Sequence, residues 1–184
     1  MNERIFTPAC MTLLAIFMAP VRAHEPPAEG CGAFSSELAH ELRVMREAAV
    51  SATSTSGASR ALPRLQLDTR YAINLAGQDR VRFAAKPARF SKSPSLRGGA
   101  FQFEVPTAGR YRVSITSRHW IDVVDAESVL ESVHHFGPGC DLVHKVVEFD
   151  LPAGRPLTLQ VSGQDDAIIG LAITAATPAA RDSP

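Results

Sequence analysis

The residues best suited to chemistry lie between positions 134 and 144, where His134-His135-Phe136-Gly137-Pro138-Gly139-Cys140-Asp141-Leu142-Val143-His144 sets imidazoles, a thiol and a carboxylate around a Gly-Pro-Gly turn. Neutral imidazole is a common metal ligand, and such a turn can fold His135 and His144 towards each other across a hairpin, an arrangement that suits zinc or copper. Asp141 can complete a set of two histidines and one carboxylate, the donor set of non-haem iron centres. Two considerations weigh against a metal site. Adjacent His134 and His135 project to opposite faces if they lie in a strand, and Cys140 is better employed in a disulfide than as a thiolate. No spacing in the segment is diagnostic, so solvent-facing histidines are the plainer reading, with no cofactor expected and zinc, copper or iron as the ions a site here would take.

Other residues invite a functional reading. His24 follows a cleavable leader, so its α-amine and imidazole can together chelate copper, although Glu25-Pro26-Pro27-Ala28-Glu29-Gly30 reads as a tail. Trp120, the only tryptophan, is a sugar-stacking or interface residue if exposed and core filling if buried. The segment from Lys86 to Gly99 is long, basic and aperiodic, and Lys86, Arg89, Lys92 and Arg97 can engage a carboxylate, a phosphate or an anionic glycan, or simply face solvent. Trp120, Arg89 and Arg97 are thus the candidate ligand contacts. The chain has no nucleophile elbow, paired His-Glu zinc motif, phosphate-cradling glycine loop or dinucleotide fingerprint, so no catalytic residue is assigned.

The first 23 residues place these groups in a compartment. Arg4 supplies a positive start, Ala9 to Ala19 an apolar run, and Val21-Arg22-Ala23 small residues at the peptidase positions, the pattern of a secretory signal. The run is too short for a bilayer-spanning helix, which takes roughly 20 residues. Cleavage leaves 161 of 184 residues, enough for one domain with a real core, and 17 basic against 18 acidic side chains. That balance gives no reason to expect nucleic acid or anionic membrane as partner. Cys10 leaves with the signal, and in an oxidising compartment the remaining Cys31 and Cys140 are expected to pair. Closing a loop of about a hundred residues contributes on the order of 4 to 5 kcal/mol in the chain-entropy model. A lipid anchor on Cys31 is disfavoured by the charge in Ala28-Glu29-Gly30.

Phe34, Leu38, Leu42, Met45 and Ala49 recur at helical intervals and predict one amphipathic helix from Phe34 to Ala49, capped by Ser35 or Ser36 and packed on a sheet. Ser51 to Ser59 reads as a flexible linker. Past Arg60 the period switches to two. Leu65 and Leu67; Tyr71, Ile73 and Leu75; Val81 and Phe83; Phe101, Phe103 and Val105; Tyr111, Val113 and Ile115; Lys145, Val147, Phe149 and Leu151; Leu157, Leu159 and Val161; and Ile169, Leu171 and Ile173 mark strands, with another beginning at Trp120. The expected fold is mainly β, a jelly-roll-like antiparallel β-sandwich of about eight or nine strands over 60–177, with one N-terminal amphipathic helix within 24–59 and a tail at 178–184. The segments 103–113 and 149–159 share an aromatic, an acid, an aliphatic, Pro, a small residue and Gly, and are read as two hairpins of one design, with Gly109 and Gly154 at positive φ.

The run Phe103-Glu104-Val105-Pro106-Thr107-Ala108-Gly109-Arg110-Tyr111-Arg112-Val113 and its later counterpart from Phe149 resemble the exported β-sandwich domains of bacterial pre-peptidase C-terminal type, which are accessory or binding modules. Over most of the mature chain, Cys31-Gly32, Phe34, Gly98-Gly99, Trp120-Ile121-Asp122-Val123 and the segment Cys140 to Phe149 are similar to small proteobacterial exported proteins of no established function. Relatives of that kind are sometimes labelled homogentisate dioxygenases, yet the His and Glu ligand motif of those longer cupin chains has no match here.

Three readings result: a periplasmic or secreted binding or accessory protein of the cell envelope, meeting an envelope protein, a glycan or a small molecule; a transition-metal-binding protein using His134, His135 and His144; and a non-haem-iron dioxygenase-like enzyme on the same histidines. The first leads, with no nucleic acid partner and no membrane span after signal removal.

Overall fold

The computed structural model describes residues 31, 36–56, 61–137 and 139–176. The expected signal, His24, the helix-entry residues 32–35, the end of the expected linker and the C-terminal tail lie outside the described residues. A 3-10 turn, Ser36–Leu38, leads into helix α1, Ala39–Arg46. The strands are β1 Val50–Thr53, β2 Tyr71–Asn74, β3 Ala76–Gly77, β4 Arg97–Phe103, β5 Gly109–Ile115, β6 Trp120–Asp125, β7 Ser128–Leu130, β8 Ser132–Phe136, β9 Lys145–Leu151, β10 Leu157–Gln164 and β11 Ile168–Ala175. They form a six-stranded sheet in the order β1-β2-β11-β5-β9-β8 and a five-stranded sheet in the order β3-β4-β10-β6-β7. All pairings are antiparallel except that of β1 with β2. The inner orders β2-β11-β5-β9 and β4-β10-β6-β7 are those of a jelly roll, with β1, β3 and β8 added at the edges. No described helix is long and apolar enough to cross a membrane.

The period of two explains the core. Tyr71, Ile73, Phe101, Phe103, Val113, Ile115, Ile121, Val123, Phe149, Leu159, Val161, Leu171 and Ile173 interleave between the sheets and are buried. At about 1.5–3 kcal/mol for each large apolar side chain removed from water, this layer dominates the stability of the domain.

Local pattern predicted the strands better than their connections. The two segments expected to be hairpins are arches: β4 ends in the five-stranded sheet and β5 begins in the other, and β9 and β10 likewise stand in opposite sheets. Gly154 has φ +71° as the turn chemistry requires, whereas Gly109 is not at positive φ. Proline and glycine mark where a strand ends; the choice between pairing back and crossing over is made by the packing of distant strands. The alternations at Leu65–Leu67 and Val81–Phe83 form no strand. The segment from Pro63 to Leu65 meets β4 at Gln102, through Leu65 N to Gln102 O (2.8 Å) and Gln102 N to Pro63 O (2.8 Å), and the Phe83 ring stands edge-on to Phe90 at 6.3 Å.

The N-terminal segment also differs from expectation. The helix stops at Arg46, and part of the expected linker is strand β1, joined to the sheet by Val50 N to Arg70 O (2.8 Å). Arg70 Nη1 donates to Glu47 O at the helix end (3.1 Å), so one residue helps to close the helix and to dock the strand. Helix α1 packs across β11 and β5, as the amphipathic pattern predicts, through Leu38, Leu42, Val44 and Met45 against Val143, Val146 and Ala172. Cys31 and Cys140 are disulfide-bonded with Cα atoms 4.9 Å apart, which ties the helix approach to the β8–β9 connection.

Under the helix lies a charge cluster, buried at Arg112, Glu41 and Glu148 and half exposed at Glu37. Arg112 donates from Nε to Glu148 Oε1 (2.7 Å), from Nη1 to Glu37 O (2.7 Å) and Glu41 Oε2 (3.4 Å), and from Nη2 to Glu37 Oε1 (3.2 Å). Thr174 Oγ1 donates to the other oxygen of Glu41 at 3.0 Å. Removing one member of such a buried set strands the others without compensation, at a typical penalty of about 3–5 kcal/mol. Arg112→Ala is therefore expected to lower the urea unfolding free energy by about 3–5 kcal/mol. A loss below about 1 kcal/mol, the range of exposed pairs, would show that the cluster does not hold the helix.

Candidate functional site

Trp120 opens β6 in one sheet and Lys145 opens β9 in the other, and the packing of the sheets brings them to the same end of the sandwich. Trp120 is 39% exposed. Its ring lies 5.3 Å from Arg89 Cζ and 5.8 Å from Lys145 Nζ, within the range of cation–π attraction. Three adjoining clefts share it. One of about 400 Å³ is lined by Arg89, Arg118, Lys145, Ser162 and Gln164 and has no carboxylate in its wall. A small one of about 160 Å³ adds Ile121, His135 and Val147. The third, about 510 Å³, runs past Asp122 and Glu131 towards Val129. Another cleft, of about 350 Å³ at Leu65 and Phe103, lies away from this group, and its Arg64 is already bonded to Gln102.

Buried polar side chains fix the site from behind. On β6 and β10 the apolar Ile121, Val123, Leu159 and Val161 face the core, and the alternate Asp122, Gln160 and Ser162 are buried as well. The covering is the aperiodic segment after β3. Gln160 Oε1 accepts from Ala84 N (2.5 Å) and Ala85 N (3.1 Å), Asp122 Oδ2 accepts from Ala88 N (3.3 Å), and Ser162 Oγ donates to Arg89 O (3.3 Å). Gln78 bonds both Ser91 O (2.9 Å) and Gly163 N (2.6 Å). Gly163 sits at φ +86°, and a Cβ there would stand 3.0 Å from Arg89 O, so glycine permits the close approach. Asp122 Oδ1 also accepts from Trp120 Nε1 at 2.9 Å. One carboxylate thus orients the indole and anchors the residue next to Arg89. Its burial pushes the carboxyl above the usual aspartate range, an effect the two donors oppose.

Charge at the site is predominantly positive. Among the described residues, Arg89, Arg118 and Lys145 form no salt bridge. Burial lowers the Lys145 amine below its ordinary value of 10.5, and burial, with Arg118 and Lys145 nearby, lowers His144 below 6.5. His119 is completely buried, with Nδ1 2.9 Å from Ser117 Oγ and 3.9 Å from Asp166 Oδ2, and its Nε2 has no partner among the described residues. Because serine and aspartate approach the same ring nitrogen, this is not the relay of a hydrolytic triad, which uses both nitrogens.

The structure brings together part of the expected set. Trp120 and Arg89 meet, and His135 lines the small cleft with Lys145. Arg97 is held in β4 opposite Gly77 and Gln164 and lines none of the three clefts. Lys86 borders a separate hollow near Phe83, and Lys92 is exposed. His134 and His135 are exposed on β8; the His134 ring stands 4.6 Å from Phe136, edge-on, and 6.2 Å from the His135 ring. The neighbours thus enter different surroundings, as alternation in a strand requires. Cys140 is committed to the disulfide, Asp141 is exposed, and among the described residues no group of three or more His, Cys, Asp or Glu side chains is placed to hold a metal ion. Lys145, Arg118, Gln164 and Asp122 were not expected in the site. Lys145 did leave a signal, a cation in the inward register of Lys145, Val147, Phe149 and Leu151.

His119 makes the fold acid-sensitive. Burial depresses its pKa below 6.5 in the folded state, so under mildly acidic conditions the unfolded chain takes up a proton that the native chain refuses. Stability is then complete above pH 6.5 and declines as pH falls below it. His144, also lowered, adds an effect of the same sign. His119→Asn, which keeps a partner for Ser117, is expected to flatten the fall in unfolding free energy below pH 6.5; parallel profiles for the two proteins would contradict this.

Comparison of the chain with family models, with curated proteins and with solved structures returned no match. The functional reading accordingly rests on the geometry around Trp120.

Proposed function

We propose that this chain is a binding protein of the cell envelope, exported to the periplasm or beyond, and that the Trp120 cleft holds an anionic ligand with a ring or sugar-like body. The observation that carries the reading is the exposed indole beside Arg89 and Lys145, in a cleft whose third cation is Arg118 and whose wall lacks a carboxylate. Guanidinium groups pair with carboxylate, sulfate or phosphate, and an aromatic wall favours the apolar face of a sugar. Gln164 and Ser162 offer neutral polar groups at the same wall. The leader-like N-terminus and the disulfide support the compartment. The jelly roll itself is no guide to activity, since that architecture carries many unrelated functions. For the metal-binding and dioxygenase-like alternatives the geometry offers one adjacent pair of exposed imidazoles, His134 and His135.

Calorimetric titration with oligogalacturonate, and with maltohexaose as the neutral control, tests the reading. Binding is expected for the acidic oligomer alone, and it should weaken as salt is added. Arg118→Ala should weaken it about tenfold, the worth of one charge-assisted hydrogen bond. Equal affinity for the neutral oligomer, or no effect of Arg118→Ala and Trp120→Ala, would sink it.

A further inference from the structure

We propose that Lys145 is a covalent capture site: its ε-amine forms an imine with carbonyl compounds that carry an anionic group, the class that includes α-keto acids and open-chain uronates. This rests on the anion-binding reading of the Trp120 cleft and gives it a chemistry. The chain has only three lysines. Lys86 and Lys92 are exposed on the basic segment, whereas Lys145 is partly buried at the mouth of the sandwich and lines both the cationic cleft and the small cleft beside it. A half-buried lysine ordinarily meets a carboxylate, because an unpaired ammonium is poorly solvated there. Among the described residues Lys145 is in no ion pair; its ammonium lies over the indole ring, 5.8 Å from the centroid.

An amine must be neutral to attack a carbonyl, and the burial that lowers the proton affinity of Lys145 enlarges the neutral fraction near pH 7. The reaction balances without a redox partner. Nζ adds to the carbonyl carbon, a C–N bond forms, and the carbinolamine loses its hydroxyl and the nitrogen proton as water to leave the imine. Arg89 and Arg118, in the wall of the same cleft, are the groups that would hold the anion while the carbonyl meets Nζ. His135, in the small cleft with Lys145, offers an imidazole for the proton exchange that dehydration needs.

Pyridoxal 5′-phosphate, an aldehyde with an anion, is a suitable probe, and 5′-deoxypyridoxal, which likewise cannot close a hemiacetal on its aldehyde, lacks the anion. Each is incubated with the full protein, trapped by cyanoborohydride, which delivers hydride to the imine, and mapped by peptide mass spectrometry. The phosphate form is expected to label Lys145 at least about tenfold faster than Lys86 or Lys92, and 5′-deoxypyridoxal to label Lys145 about tenfold more slowly, the equivalent of one charge-assisted contact. Lys145→Gln, checked by circular dichroism for a folded chain, should remove the fast site. Equal labelling of the three lysines overturns the proposal. Fast labelling of Lys145 by both aldehydes alike keeps the reactive amine but overturns the anionic class of ligand, and with it the reading of the cleft.

Discussion

The interleaving of alternate side chains between the two sheets is the constraint on which the other features rest. Trp120 and Lys145 belong to different sheets and are separated in the chain by β7 and β8, and neither would approach the other without the layer of Ile121, Val147, Phe149 and Leu159 that seals β6 and β10 against β9. The arches after β4 and β9 serve the same end, because each sends the next strand into the opposite sheet. A one-residue slip in β9 would turn Lys145 and Phe149 outward and put Val146 and Glu148 in their place. The register that fills the core is therefore also the register that aims the amine.

Both outer faces are covered, and the coverings use polar chemistry. Over the six-stranded sheet, α1 is seated by Arg112 among Glu37, Glu41 and Glu148, with the guanidinium 5.4 Å from the Phe136 ring. Over the other sheet an irregular segment is held by Asp122, Gln160 and Ser162. A helix or loop laid on a sheet by apolar contact alone can shift along it, whereas fixed donors and acceptors select one position. For Arg89 this selection is what matters, since its place beside Trp120 depends on the backbone bonds that Asp122 and Ser162 make on either side of it.

Much of the architecture was legible in the chain. Alternation marked β2, β4, β5, β9, β10 and β11, and the helical period marked α1, because in each case one face is buried and the pattern records that burial. The strands β7 and β8 were not legible: they are short edge strands whose residues are mostly exposed, so nothing compels alternation. The burial of Glu41, Arg112 and Glu148 was not legible, since a pattern of polarity cannot say that another element will cover them. At the site, Trp120 and Arg89 were identifiable by residue type, and their meeting was not, as it depends on the path of an aperiodic segment. Arg97 has the same chemistry as Arg89 but is held within β4.

At one end of the sandwich a solvent-accessible indole sits in a positive field. Since Trp120 is the only tryptophan, its fluorescence reports this site alone. Quenching by iodide and by caesium, each taken relative to its quenching of free N-acetyltryptophanamide at the same ionic strength, measures the sign of the field at the ring. Stronger quenching by iodide, diminished when Arg89 and Arg118 are replaced by alanine, is the predicted result. Equal quenching by the two ions, or stronger quenching by caesium, contradicts it.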